Sequence, residues 1–356
     1  MMKTIVVGAG IAGASTAYHL VKAGADVILI DRADSGQATD AAAGIICPWL
    51  SQRRNQTWYE LAKQGARYYP RLIQELEAIG ERDTGYKQVG GLCLHTNKHK
   101  IDQIEARAYQ RRAEAPEIGV IQRLSSSEVK EMFPPIADGY EAVFVGGAAR
   151  VGGRSLTKAL IRAAKKHGAT ILQGDATLVY SEHRVTGVRV DGQWLQADHV
   201  IVAAGAWANE LIEPLGIEIN VTYQKAQIIH LHVPTADTDT WPVVMPPGNH
   251  YIVPFAAGHV VVGATHENNT GMDLRITAGG MYEIFHKALT VAPGLTSSAV
   301  LQARVGFRSY TSDFLPFFGP IQGIDGLSVI LGLGASGLTT GPYIGAELAK
   351  YITHAR

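Results

Sequence analysis

Cysteine is nearly absent from this chain. Cys47 and Cys93 are the 2 in 356 residues and lie outside any Cys-x-x-Cys spacing, which excludes a disulfide framework and a zinc knuckle and fits a reducing, cytoplasmic compartment. An excess of either charge is missing too. Lys plus Arg and Asp plus Glu are 32 each, with no basic run, so the electrostatic footprint of a nucleic-acid binder is lacking and a small-molecule partner is expected. No hydrophobic run reads as a membrane span. The uncharged stretch Leu327 to Ala346 has about the ~20 residues a span needs, yet Gly332, Gly334, Gly337, Gly341, Pro342 and Gly345 break it. The segment Met1 to Gly8 reaches glycine too early to form the basic and apolar regions of an export signal. Internal repeats and low-complexity tracts are absent.

What is abundant is glycine. With 39 Gly against 15 Pro and 46% hydrophobic against 18% charged residues, the composition is globular, and the glycines serve turns and close backbone approaches. At a prior of roughly 150 residues per domain, the length gives two domains or one large composite.

Lys3 to Val7 and Asp26 to Ile30 are β-branched runs flanking a helical face of Ala14, Ala17, Leu20 and Val21, which makes a β-α-β unit. Gly8, Gly10 and Gly13 sit between the first strand and the helix, and Asp31 closes the second strand. Gly8 permits the tight turn, Gly10 lets backbone approach a pyrophosphate, Gly13 lets helix and strand pack closely, and Asp31 can accept from a ribose diol. The helix start at Ile11 and Ala12 offers N-H groups and a positive dipole end to phosphate. This fingerprint leaves NAD and FAD open, and the acid argues against a 2′-phosphate.

Further along, Trp58 to Leu76 reads as a long helix, Ser125 to Glu128 as a capping box, and Leu156 to Ala164 as an amphipathic helix ended near Gly168. Strand patterns dominate 170–204, 223–231 and 251–264, with a buried strand at 327–331 and a closing helix through Ile344, Leu348 and Ile352.

Six motifs then follow in order: Ala38-Thr39-Asp40-Ala41-Ala42-Ala43-Gly44-Ile45-Ile46, His199 to Trp207, Tyr251-Ile252-Val253-Pro254, Val260 to Thr265, Gly306-Phe307-Arg308, and Gly332 to Pro342. Together with the fingerprint they resemble the D-amino acid oxidase family of FAD-dependent oxidoreductases, with the glycine oxidases as the nearest pattern. The resemblance runs almost end to end. It implies an α/β fold, a Rossmann-like FAD-binding domain plus an antiparallel-sheet (α+β) substrate domain. The FAD-binding domain would be discontinuous, over 1–50, 143–220 and 300–356, with 51–142 and 221–299 forming the substrate domain. For the cofactor it implies Gly8, Gly10, Ile11, Ala12, Gly13, Asp31, Arg32, Ala42, Ala43, Gly44, Ile45, Thr177, Ala204, Gly205, Trp207, Gly334, Ser336, Gly337, Leu338 and Thr339. The FAD would be noncovalent, because no cysteine follows Arg308, where monomeric sarcosine oxidase attaches its flavin.

The activity implied is oxidative deamination of a small amino acid or N-substituted glycine (glycine, sarcosine or a D-amino acid), with hydride passing from the α carbon to flavin N5. Arg308 is the candidate carboxylate clamp, because a planar guanidinium can hold a carboxylate bidentately. Tyr251 could donate a hydrogen bond to the same carboxylate. His266 follows Gly263-Ala264-Thr265 and could change charge near neutral pH. The competing role for Arg308 is a structural ion pair with Asp313. No histidine has the context of a metal ligand. Departures from the pattern are Ser309 after Arg308, Ala226 in Lys225-Ala226-Gln227, Pro246 in place of a tyrosine and Ala335 in place of an arginine. The alternatives are an NAD-linked dehydrogenase and a flavin-binding subunit of a heteromeric amino acid dehydrogenase complex. A homo-oligomer is compatible with the sequence, and oxygen, a quinone and a protein all stay open as electron acceptor.

Overall fold

The structure, a computed structural model, describes residues 1–217, 219, 221–234 and 237–354. Lys3–Val7, Asp26–Asp31, His199–Val202 and Leu327–Leu331 are apolar on consecutive residues, as a sheet covered on both faces requires. They form the centre of a six-stranded sheet in the order Phe317–Pro320, Leu327–Leu331, His199–Val202, Lys3–Val7, Asp26–Asp31, Thr170–Gln173. All pairs are parallel except the first. From Lys3–Val7 the chain leaves through the helix Ile11–Lys22 to Asp26–Asp31 on one side, while His199–Val202 joins on the other. That reversal opens a crevice beyond the carboxyl ends of the strands. The helices Gly153–Lys166 and Gly337–His354 pack against Ile11–Lys22.

The second sheet has eight strands, ordered Ala299–Thr311, Val221–His232, His259–Gly263, Tyr251–Pro254, Val243–Met245, Gly91–His95, Glu141–Val145, Ile121–Leu124. It is antiparallel as expected apart from one parallel pair, Val243–Met245 with Gly91–His95. Hydrogen bonding puts Glu141–Val145 and Ala299–Thr311 in this sheet, whereas the expected division set 143–145 and 300–311 with the nucleotide-binding portion. Ala299–Thr311 pairs with Val221–His232 from end to end, and by that route it carries Arg308 from the second sheet toward the crevice of the first. Among the described residues no helix is long and apolar enough to cross a membrane.

Two histidines are packed as neutral rings. Burial holds His19 and His199 at about 4, below the ordinary 6.5, with the His199 ring bonded to Ser328 Oγ at 2.9 Å. Between those values the unfolded chain binds more protons than the folded one, so stability is full above pH 6.5 and lost as pH falls toward 4. Thermal midpoints should therefore drop steadily from pH 7 to 4.5, with each ring contributing on the order of 2 kcal/mol. His199→Gln should flatten the profile, and a profile unaltered by that substitution would refute this origin.

Candidate active site

Glycine geometry shapes the crevice. Gly8 adopts φ +103°, and a Cβ there would meet the Ala203 carbonyl oxygen at 2.4 Å. Gly13 brings helix onto turn, since its Cβ would fall 1.8 Å from Gly8 O. Gly10 differs from both. Its missing side chain leaves open space, the nearest atom being Thr39 Oγ1 at 3.6 Å. Asp31 fixes the turn from the second strand, accepting from Ala9 N at 2.5 Å, Ala33 N at 2.6 Å and Gln37 Nε2 at 3.0 Å.

A cavity of about 520 Å³ runs along this crevice. Gly8, Gly10, Ile11, Ala12, Asp31, Arg32, Ala42, Ala43, Gly44, Ile45, Thr177, Ala204, Gly205, Trp207, Gly334, Gly337, Leu338 and Thr339 line it, as do Tyr251, His266 and Arg308. Two residues expected at the cofactor are not in the lining. Gly13 acts as the spacer just described, and the Ser336 hydroxyl accepts from Trp58 Nε1 at 3.0 Å. Cys47 also lies outside the lining, buried in the core of the first sheet, where burial pushes its thiol up.

At one end Arg32 is held by Asp34 at 2.7 Å, Asp175 at 3.2 Å and Glu210 at 3.1 Å. That neutralised guanidinium is unsuited to a 2′-phosphate, in agreement with the reading of Asp31. At the other end the charge is unmatched. Asp313, the competing partner of Arg308, instead accepts from Thr311 Oγ1 at 2.9 Å and Leu315 N at 3.0 Å. Among the described residues Arg308 has no carboxylate within 4.0 Å. Tyr251 lies beside it, paired in register with Gly263, where a Cβ would meet the tyrosine hydroxyl at 3.1 Å. Burial raises the Tyr251 hydroxyl's pKa and the neighbouring Arg308 opposes the shift, so the phenol stays protonated at neutral pH. Desolvation, reinforced by the Arg308 charge, lowers His266, which makes it a neutral imidazole at pH 7.

Sequence reading had not singled out several lining groups. Asn249 belongs to a Pro-Gly-Asn-His turn that carries no periodic signal, and Gln37 and Glu210 become neighbours of the crevice only through folding. Thr39, quoted within a small-residue motif, accepts from Ile11 N at 3.2 Å and so ties that motif to the helix start.

A parallel sheet with this glycine turn, an acid at the second strand end and a cavity reaching into an antiparallel sheet define a dinucleotide-dependent oxidoreductase. More specifically, the chain belongs to the FAD dependent oxidoreductase (DAO) family, which it matches over residues 3–351. It is 59% identical over 353 residues, 99% of this chain and 95% of the relative, to an uncharacterized oxidoreductase, YurR, of Bacillus subtilis (strain 168). A glycine oxidase of Pseudomonas aeruginosa is 30% identical, over 96% of this chain and 92% of the relative. Among solved structures, an iminodiacetate oxidase from Chelativorans sp. BNC1 superposes with a TM-score of 0.96 at 43% identity, covering 98% of this chain and 95% of that one. The chain is thus an FAD-dependent oxidoreductase of the DAO family, similar to glycine oxidases.

The crevice fits FAD on its own geometry. The side of Gly10 that a Cβ would fill is open, Ala41 to Gly44 keep the adjoining wall free of bulk, and the lining runs continuously from Asp175 to Arg308.

Proposed function

We propose that this chain oxidises the Cα-N bond of a small amino acid or N-substituted glycine whose carboxylate is held by Arg308. The observation that carries this reading is an arginine in the cavity lining with no protein carboxylate in reach, beside a protonated Tyr251. A guanidinium without a counter-ion is costly to desolvate, and an incoming carboxylate supplies the missing partner bidentately. Iminodiacetate, the substrate named for the Chelativorans enzyme, is itself an N-substituted glycine, which supports the secondary-amine branch of this class.

When bound, FAD supplies a two-electron acceptor for the hydrogen leaving the α carbon. The chain's own part is orientation. Arg308 fixes the carboxylate, the Tyr251 hydroxyl donates to it, and these two contacts together limit which face of Cα is presented. His266 adds a neutral ring to the lining nearby. The product imine is hydrolysed by water to an oxo acid and an amine, or for glycine to glyoxylate and ammonia.

The test is the visible spectrum of the purified yellow holoenzyme, without oxygen, before and after separate additions of glycine, sarcosine, iminodiacetate and D-alanine. Bleaching by at least one of them is expected. Yellow that persists through all four would move the substrate outside this class.

A further inference from the structure

The cavity is electrostatically lopsided. Four carboxylates line it, Asp31, Asp34, Asp175 and Glu210. Three of them surround Arg32, while Asp31 adjoins it in the chain and is bound to the turn at Ala9 and Ala33. Tyr251 and His266, the lining residues that interact with Arg308, carry no carboxylate, and neither do Asn249 and Ser309 beside them in the chain. Behind it stands the ion pair of Lys287 with Glu283 at 2.6 Å, whose two charges act on His266 in opposite directions.

One carboxylate on Arg308 would satisfy the guanidinium and leave the rest of this end without an anion. Asn249 has a side-chain amide in the cavity lining and makes no side-chain hydrogen bond to protein among the described residues. Its two N-H donors are therefore available to a ligand. His266, three residues past the end of the strand that neighbours Tyr251, brings an imidazole to the same lining from a different segment. Polar side chains brought from two segments to the exposed edge of one cavity, with no carboxylate among them, suit an anionic group.

We infer that Asn249 and His266 form a subsite for a second carboxylate, carried on the substrate nitrogen, so that the chain selects dicarboxylic secondary amines over glycine and sarcosine. This rests on the proposed function, because the first carboxylate must occupy Arg308. Glycine would leave the Asn249 amide solvated and contribute nothing from it. An N-carboxymethyl group would exchange that water for charge-assisted hydrogen bonds, the kind whose loss reduces binding most.

Sarcosine and iminodiacetate make a matched pair, since the second is the first with a carboxylate in place of one methyl hydrogen. The measurement is kcat/KM for both on the wild-type holoenzyme and on Asn249→Ala, Asn249→Asp and His266→Ala. The wild type should favour iminodiacetate by about 10-fold or more, the worth of one or two charge-assisted hydrogen bonds. Asn249→Ala and His266→Ala should each lower that ratio, chiefly through KM for iminodiacetate. Asn249→Asp, nearly the same size but anionic, should lower it further by repulsion, an ordering that a merely structural role for Asn249 would not produce. A wild-type ratio near one, or variants that keep the wild-type ratio, would overturn the subsite while leaving the proposed function standing. Turnover of neither compound, with glycine or D-alanine still bleaching the flavin, would likewise overturn the subsite alone. Failure with all four would overturn both.

Discussion

Replacement of Arg308 by alanine is expected to reduce kcat/KM on amino acid substrates by about 10²- to 10⁴-fold while FAD stays bound, because removing one member of a buried charge pair costs roughly 3–5 kcal/mol. In the ligand-free protein Arg308 sits in the strand Ala299–Thr311. Its strand pairs through backbone groups with Val221–His232, and those bonds do not depend on the side chain. Asp313 is already satisfied by Thr311 and Leu315, so no protein carboxylate within ion-pair distance is orphaned by the change. The thermal midpoint of the ligand-free protein should therefore hold or rise slightly, since an uncompensated cation has been removed from the cavity.

Arg308→Lys separates charge from shape. An ammonium keeps the attraction but cannot make two parallel bonds, so orientation suffers more than affinity, and kcat should fall further than KM rises. In Arg308→Ala both parameters should worsen, and the Tyr251 hydroxyl loses the cation that opposes its upward pKa shift. Steady-state kinetics with sarcosine and iminodiacetate, alongside the flavin absorbance of each preparation, check these outcomes. Wild-type kcat/KM in Arg308→Ala would refute the clamp. A colourless preparation would instead mean that the side chain supports the cofactor, which the present geometry does not suggest.

The fingerprint glycines and Asp31 were legible in the sequence because their roles are local: turn, approach and strand end lie within one β-α-β unit, and spacing alone puts them in register. The capping box at Ser125 was legible for the same reason, and both of its reciprocal bonds are present. The long helix Gln56–Ala78 was also readable, even with Pro70 inside it, from its apolar stripe. Two of the longer helices were missed. Lys98–Arg112 buries only Ile101, Ile104 and Ala108, too few for its period to stand out against a polar segment. Ala278–Val291 opens with Gly279 and Gly280, poor helix formers that hide a start capped by the Thr277 side chain on Gly280 N. The second of these glycines has a packing reason, as a Cβ there would meet Gln227 Nε2 at 2.3 Å.

The substrate end was legible only through resemblance. Arg308, Tyr251 and His266 come from three segments of one sheet, and no spacing rule brings residues 251 and 308 together. What joins them is the strand order, in which Val221–His232 and His259–Gly263 stand between the two carriers. Asn249 escaped for a further reason. It is a turn residue with no partner in the sequence, and the role proposed for it depends on the cavity lining that only folding assembles.

The second large effect is expected far from the chemistry, at Gly65. This residue lies inside the helix Gln56–Ala78, where alanine is ordinarily more stable than glycine by about 1 kcal/mol. Propensity alone therefore predicts that Gly65→Ala stabilises the protein. Packing predicts the reverse. A Cβ at Gly65 would stand 2.1 Å from the Thr339 carbonyl oxygen and 3.2 Å from Thr340 Cα, and both are backbone atoms of the closing helix Gly337–His354, which have no rotamer by which to yield. The helices must move apart, at a cost of roughly 1–3 kcal/mol for overpacking. The displaced turn carries Gly337, Leu338 and Thr339, all lining the cavity, and Thr339 Oγ1 donates to Ile45 O at 3.2 Å, tying it to the opposite wall. A shift there should spread to both walls of the FAD crevice. Gly65→Ala is therefore expected to lower the thermal midpoint and weaken FAD about 10- to 100-fold, the equivalent of the same ~1–3 kcal/mol. The ratio of flavin to protein absorbance after dialysis, with the melting temperature of the apo-protein, measures both. A variant that melts higher and retains its flavin would mean that helix propensity outweighs the contact, and that the closing helix is free to adjust without disturbing the cofactor.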